Sequence, residues 1–158
     1  MTADRVRIWL ETSHHPAHRA GGWAYVRADG AAVTGVAGGD RRADAERIAL
    51  EGFVAALKGV SAGRPVVVQT ASPLIAGLPA RLLAAATGQD TPSDNLALWA
   101  QVATALGSAG VKIVRAASSP GTPTSFAAGW AEFARDKAKG GRFTWPIPKG
   151  NLSKARVG

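Results

Sequence analysis

The spacing of apolar residues changes along the chain in an order that limits the folds it can adopt. Within residues 5–12, apolar side chains alternate with basic or aromatic ones, which is the spacing of a half-buried strand. Residues 22–27 and 32–37 are predicted to form two more strands. Asp29-Gly30 lies between them and favours a tight hairpin, because glycine accepts a positive φ. The first part of the chain is therefore predicted to be a three-stranded antiparallel meander.

From Asp44 onward, apolar residues recur at every third or fourth position, which predicts a helix over 44–60 with Asp44 as its N-cap. A buried strand is predicted next, at 66–70, and then short helices within 73–87 that Gly77 and Pro79 interrupt. A helix at 94–106, which Gly107–Gly110 stop, is followed by a strand at 111–115 and a helix at 125–138. This order predicts an α/β domain in which helices pack on a mixed five-stranded sheet, with three antiparallel strands followed by two parallel ones.

Composition predicts one packed domain rather than a disordered or exported chain. The chain has 158 residues, of which 46% are hydrophobic and 19% charged. We expect the domain to cover residues 1–139, followed by a basic tail at 140–158 that contains Pro and Gly and lacks a regular period. The absence of cysteine excludes disulfides, thiolate metal sites and cysteine nucleophiles. No segment has the apolar run of a secretory leader or of a membrane span, so we expect a soluble, cytoplasmic protein.

Positive charge is concentrated at the end of the sequence. The formal net charge is +8, and six cations without any acid lie within residues 137–158, so the rest of the chain is almost neutral. The six are Lys137, Lys139, Arg142, Lys149, Lys154 and Arg156. Phe143 and Trp145 lie among them. Cations that neutralise phosphates and aromatic rings that stack on unpaired bases are the features of a nucleic-acid-binding segment. A basic tail that packs back on the domain is the alternative interpretation.

Six segments, in the correct order, resemble type 1 ribonuclease H across roughly residues 5–138. They are Leu10-Glu11-Thr12-Ser13, Ala20-Gly21-Gly22-Trp23-Ala24, the helix from Arg47 to Lys58, Val67-Val68-Gln69-Thr70-Ala71-Ser72, the helix and strand from Asn95 to Arg115, and Ala131-Glu132-Phe133-Ala134-Arg135. The resemblance implies a ribonuclease H-like fold. In that family four carboxylates hold two Mg²⁺ ions, which hydrolyse the RNA strand of an RNA/DNA hybrid.

The resemblance also implies that the catalytic site is degenerate. Glu11 matches the first acid, whereas Ala49, Ala71 and Ala131 stand at the other three acid positions. Alanine offers no metal ligand, so we expect a nucleic-acid-binding pseudoenzyme that needs no metal cofactor. The nearest substitute acids, Glu46 and Glu132, are displaced along or around their helices from the matching positions. Active hydrolysis with Mg²⁺ or Mn²⁺ through unconventional ligands is one alternative.

Other features leave further alternatives open. Ser13 and Ser72 match family positions that approach the phosphate backbone, although small polar residues at strand ends also form turns. The Ala-rich region 76–87 could bind a protein partner or a second copy of the chain. The alanines at the acid positions could also have been introduced to trap substrate. A metal site at the three histidines, His14, His15 and His18, is less favoured than solvated loop side chains.

Overall fold

A computed structural model describes residues 5–108 and 110–158, which form a six-stranded mixed sheet with helices on both faces. The strands are β1 (Val6–His15), β2 (Ala20–Asp29), β3 (Ala32–Arg41), β4 (Pro65–Thr70), β5 (Gly110–Arg115) and β6 (Phe143–Pro146). Their order across the sheet is β5-β4-β1-β2-β3-β6. Strands β1, β2 and β3 pair antiparallel, and β4 and β5 run parallel to β1. The predicted α/β class and the meander followed by two parallel strands are confirmed.

Six helices connect or follow these strands. They are α1 (Ala45–Leu57), α2 (Pro73–Ala76), α3 (Leu78–Ala86), α4 (Leu96–Ser108), α5 (Pro123–Lys137) and α6 (Lys149–Leu152), with 3₁₀ turns at Ala138–Gly140 and Ser153–Ala155. Asp44 caps α1 as predicted, since its Oδ1 accepts a 2.7 Å hydrogen bond from the N–H of Arg47. Residues 1–4 of the predicted domain and residue 109 of the predicted glycine-rich stop lie outside the described residues. Within the described part of the chain, no helix has both the length and the apolar character needed to cross a membrane.

The hairpin between β2 and β3 turns one residue later than the sequence predicts. Asp29 pairs with Ala32, so the two-residue loop is Gly30-Ala31 rather than Asp29-Gly30. Gly30 has a φ of +61°, and a two-residue hairpin loop commonly needs a positive φ at its first position. The glycine was thus correctly identified as a turn residue, whereas the two-residue loop lies one position later than predicted.

The sheet separates two hydrophobic clusters. Ile8 and Leu10 of β1 point to the side covered by α1 and α4, where Phe53 and Trp99 are also buried. Trp9 points to the opposite side, which α5 covers. This is the consequence of strand alternation, which sends successive side chains to opposite faces.

Helix α5 packs unusually close to the sheet because both surfaces carry small residues. Ala131 and Ala134 face the sheet and are fully buried. A Cβ atom on Gly22 would collide with the α5 backbone at Ala131 and Arg135, and one on Gly39 would lie 3.2 Å from the carbonyl oxygen of Ala134. Gly22 of β2 and Gly39 of β3 therefore set how near α5 can lie to these two strands.

The C-terminal segment corrects the predicted strand count from five to six. Residues 143–146 form β6, which pairs antiparallel with the outer edge of β3. Beyond β6, Ile147, Leu152 and Ala155 are buried in the cluster under α5. The segment shows no sequence period because only four residues pair as a strand and the rest follows short turns. Its position against β3 is decided by tertiary contacts.

Candidate functional site

Glu11 lies in β1, between β2 and β4, and its side chain is 5% exposed. Its Oε2 accepts a 2.6 Å hydrogen bond from the backbone N–H of Ala71. Burial raises the pKa of Glu11 to about 7, although hydrogen bonds from Ala71 and the Thr70 side chain and the charge of Arg115 act in the opposite direction. The carboxyl group is therefore protonated in part near neutral pH.

Arg115 places a cation at the same end of the sheet. It is the last residue of β5 and pairs in register with Thr70 at the end of β4. Its Nη2 donates a 3.1 Å hydrogen bond to the carbonyl oxygen of Ala71. Ala71 thus joins the two groups, because its N–H contacts Glu11 and its carbonyl oxygen contacts Arg115. The local charge partner of Glu11 is a guanidinium group.

The other positions matched to family acids are buried in hydrophobic surroundings. Ala49 is 1% exposed in the cluster on the α1 side of the sheet, and Ala131 is fully buried in the cluster on the α5 side. Among the four positions matched to family acids, Glu11 and Ala71 are in direct contact through the hydrogen bond from the Ala71 N–H. Across residues 5–108 and 110–158, no group of three His, Asp or Glu side chains is arranged to hold a metal ion.

The two nearby acids considered as substitutes have other surroundings. Glu46 accepts a 2.9 Å hydrogen bond from Nη2 of Arg81, and its second oxygen lies 3.3 Å from Nδ2 of Asn95 and 3.4 Å from Nε1 of Trp99. These contacts direct Glu46 toward α3 and α4. Glu132 is exposed on α5.

Ser13 and Ser72 both have partners within the protein. Ser13 Oγ accepts a 3.0 Å hydrogen bond from Nη1 of Arg135, which links the end of β1 to α5. Ser72 caps α2 by accepting a 3.3 Å hydrogen bond from the N–H of Ile75. These contacts give each serine a structural role at the end of a strand.

The predicted binding residues at the C-terminus fall into several environments. Arg142 lies 3.3 Å from Glu51 and 3.7 Å from Asp40, two acids that also pair with Arg47. This cluster attaches the start of the C-terminal segment to α1 and β3. Phe143 is partly buried against the cluster under α5. Phe143 is thus partly covered, whereas the Arg142 side chain is exposed although it also pairs with these two acids.

Trp145 and Lys137 are brought together although eight positions separate them in sequence. The Lys137 ammonium lies 5.3 Å from the centroid of the Trp145 ring and 6.0 Å from that of Phe133. Lys139 lies 3.9 Å from Asp136. Three further predicted cations are exposed and form no ion pair within the described residues, namely Lys149, Lys154 and Arg156.

The three histidines do not assemble a ligand set in the described part of the chain. Nε2 of His14 lies 2.7 Å from the carbonyl oxygen of Ala43, and the rings of His15 and His18 are 4.5 Å apart. Burial, together with the nearby charges of His18 and Lys139, lowers the pKa of His15. A cationic form of His15 is therefore disfavoured.

Solved structures provide the comparison that decides the fold. The N-terminal RNase H domain of a Mycobacterium tuberculosis protein, solved as a fusion with maltose-binding protein, superposes with a TM-score of 0.59 at 18% identity, over 85% of this chain and 95% of that one. LC9-RNase H1, a type 1 RNase H with the type 2 active-site motif, gives a TM-score of 0.65 at 21% identity, over 98% and 82%. This chain has the ribonuclease H fold.

Two further findings show how far the similarity to known proteins extends. RNase H1 from the archaeon Halobacterium salinarum also shares the ribonuclease H fold, with a TM-score of 0.56 at 18% identity over 85% of this chain and 99% of that one. No protein-family model matches the sequence, and no curated protein matches it. Similarity is therefore found at the level of the fold.

The donor set does not fit the metal pair that the ribonuclease H resemblance implies. Mg²⁺ requires oxygen ligands, and two dications need several converging anionic groups. Here three of the four matched positions carry methyl groups, and the remaining carboxylate accepts the Ala71 N–H beside the Arg115 guanidinium. No catalytic step through metal ions follows from this arrangement.

Sequence reasoning missed two features of this ribonuclease H-like domain. Arg115 was identified only as the end of a strand, and its approach to Glu11 depends on the pairing of β5 with β4. The spacing of Phe126, Trp130 and Phe133 predicts one apolar face of the helix at 125–138, and Phe126 and Trp130 do pack, partly buried, against the cluster under α5. Phe133 is 41% exposed, and the fully buried face of α5 is instead formed by alanines. The exposed Gly129 beside Trp130 was the available signal, since a core-facing helix rarely needs it.

Proposed function

We propose that this protein is a nucleic-acid-binding domain of the ribonuclease H fold that does not hydrolyse its ligand. The observation that carries the proposal is the isolation of Glu11, which has an amide donor and a guanidinium group as neighbours where a metal pair would need more carboxylates. A lone, partly protonated carboxyl group cannot anchor two dications.

Charge and fold similarity support nucleic acid as the partner. The net charge of +8 is concentrated after residue 136, and Lys149, Lys154 and Arg156 are exposed there. Cations of this kind bind phosphates with an affinity that falls as salt displaces them. One structure with the same fold, a foamy viral protease-reverse transcriptase solved in complex with double-stranded DNA, has a TM-score of 0.60 at 16% identity, over 85% of this chain and 95% of that one.

Hydrolysis is tested with a labelled RNA/DNA hybrid titrated with Mg²⁺ and with Mn²⁺. We expect no cleavage above the level given by Glu11→Gln, which keeps the side-chain shape and removes the charge. Metal-dependent cleavage by the natural sequence that disappears in Glu11→Gln would establish the active alternative instead.

Binding is tested by measuring affinity for DNA, RNA and hybrid at several salt concentrations. A variant that combines Lys149→Gln, Lys154→Gln and Arg156→Gln should reduce the slope of log affinity against log salt by about 2 to 3. Arg5→Gln with Lys112→Gln provides a charge control outside the segment. Equal slopes for the natural sequence and the triple variant would place the binding surface elsewhere.

A protein-interaction function is the second candidate, and the exposure of two leucines favours it. Leu83 and Leu96 are 66% and 60% exposed, and Leu83 lines a shallow apolar groove between α3 and α4. Association through this surface should be insensitive to salt. Sedimentation across protein concentrations, with Leu83→Ser as the variant, separates this function from nucleic-acid binding.

A further inference from the structure

Four aromatic side chains form a row of neighbouring rings along α5 and β6, which we call the aromatic strip. Phe126 and Trp130 are partly buried against the cluster under α5, and Phe133 and Trp145 are its more exposed members. Phe126, Trp130 and Phe133 follow one another at helical spacing along α5, and Trp145 of β6 extends the row. Successive ring centroids lie 6.4, 5.4 and 5.7 Å apart. Phe133 and Trp145 are each 41% exposed. Exposed aromatic rings in contact with one another are unusual on a surface without a ligand.

Gly129 adds no side chain to the groove beside the strip. It lies on the exposed side of α5, and a Cβ atom added there would meet no other atom within 4 Å. Together with Ser125 and the rings of Phe126, Trp130 and Phe133, it lines a shallow groove of about 390 Å³. Glycine inside a helix costs about 1 kcal/mol relative to alanine, and no packing contact explains its presence.

The charge next to the strip is complementary to phosphate. The Lys137 ammonium lies over the Phe133 and Trp145 rings, and no carboxylate is within 4.0 Å of it in the described residues. Lys139 follows, and the segment beyond it carries no acid. A polyanion with flat rings therefore matches the surface better than an uncharged apolar partner.

We propose that the aromatic strip binds unpaired nucleotides of single-stranded nucleic acid, with bases stacking on its rings and Lys137 contacting the backbone phosphates. The inference rests on the proposed nucleic-acid-binding function and names the ligand class and the surface. Bases in a duplex already stack on their neighbours, so only unpaired bases present a free face to the rings. Single strands should accordingly bind more tightly than the same sequence in a duplex.

The test uses the full chain and labelled oligothymidine, or oligouridine, of about 15 nucleotides, compared with a duplex of equal length. Phe133→Ala should weaken single-strand binding about 5- to 100-fold, the range for loss of one stacking ring, and leave the salt slope unchanged. Lys137→Gln should lower that slope by about 1. Leu83→Ala, which removes an exposed apolar side chain from α3, is the matched control and should bind normally.

Gly129 offers a variant that closes the groove without removing a ring. Gly129→Gln, which fills the groove without adding charge, should reduce single-strand affinity at least about as strongly as Phe133→Ala, whereas Gly129→Ala should fold at least as stably as the natural sequence. Tryptophan fluorescence gives an independent signal. Trp9, Trp23 and Trp99 are 4%, 6% and 5% exposed, so quenching by the oligonucleotide reports on Trp130 and Trp145. Trp145→Phe should lose part of that quenching and keep most of the affinity.

The outcomes separate this inference from the proposed function. If no nucleic acid binds at low salt, the proposed function fails and the inference fails with it. If nucleic acid binds but Phe133→Ala and Gly129→Gln bind as tightly as the natural sequence, only the inference is wrong. A third outcome is that the protein self-associates as its concentration rises, that the same two variants abolish this association, and that single strands are not preferred. That result would assign the strip to a second copy of the chain.

Discussion

The backbone N–H of Ala71 donates a 2.6 Å hydrogen bond to Oε2 of Glu11. The end of β4 thereby contacts the middle of the sheet through a main-chain donor, at a position where the ribonuclease H resemblance implies a second acid. The contact explains how a carboxyl group that is 5% exposed is accommodated without a metal ion. The energetic cost of burying the carboxyl group is nevertheless visible in the raised pKa of Glu11.

Glu11→Gln should stabilise the protein at alkaline pH and have little effect in acid. The pKa of Glu11 is raised by burial from 4.5 to about 7, so the folded state binds more protons than the unfolded state between these values. The free energy of unfolding of the natural sequence therefore falls as pH rises through this window. Urea unfolding at pH 8 should show Glu11→Gln more stable by about 2 kcal/mol, with near equality at pH 4.

The exposed Glu132→Gln is the control for that experiment and should shift stability by less than about 0.5 kcal/mol at both pH values. A natural sequence that becomes more stable between pH 5 and 8, relative to Glu11→Gln, would contradict the inferred burial of the carboxyl group.

Ala71→Asp should create a response to metal ions that the natural sequence lacks. A second carboxylate next to Glu11 adds repulsion, which we expect to lower stability by about 1 kcal/mol at pH 8 without metal. Mn²⁺ should raise the unfolding temperature of this variant and leave that of the natural sequence unchanged, since oxygen ligands in pairs attract hard cations. Ala71→Asn has the same shape without the charge and should not respond to Mn²⁺. A comparable Mn²⁺ response of the natural sequence would count against the isolation of Glu11.

Gly22→Ala should be strongly destabilising. A Cβ atom there meets the α5 backbone at Ala131 and Arg135, and backbone cannot move aside as a flexible side chain can. We expect a loss of about 2 kcal/mol or more in chemical unfolding. Gly140→Ala, where an added Cβ meets no atom within 4 Å, should be neutral. Equal stabilities of the two variants would show that α5 lies farther from β2.

Ile147→Ala should destabilise the protein by about 2 to 4 kcal/mol, because Ile147 is 4% exposed in the cluster under α5. The exposed Lys154→Ala tests the same segment without touching its core contacts and should change stability by less than about 0.5 kcal/mol. Thermal unfolding distinguishes the two cases. If the segment were a detachable tail, neither substitution would change the unfolding temperature of the domain. Deletion of residues 140–158 is a poor binding test, because it also removes these buried contacts.

Local sequence patterns account for most of the elements and for the connectivity. The alternation within residues 5–12 and the helical spacing after Asp44 identify β1 and α1 because each element must direct its apolar side chains to one core. The helical spacing within residues 94–106 also places Trp99 on an apolar face, and Trp99 is buried. They cannot identify β6, since four residues with a terminal proline carry too little periodicity.

The order of β1 to β5 and of the helices between them follows from residue type and spacing alone. The presence of one acid among four matched positions follows from the resemblance to type 1 ribonuclease H. Tertiary structure decided which partners those residues meet. Arg115 approaches Ala71 and Glu11 only because β5 pairs with β4, and Trp145 joins Phe133 only because β6 pairs with β3. Contacts between residues far apart in sequence depend on how the elements pack, and no local spacing encodes that packing.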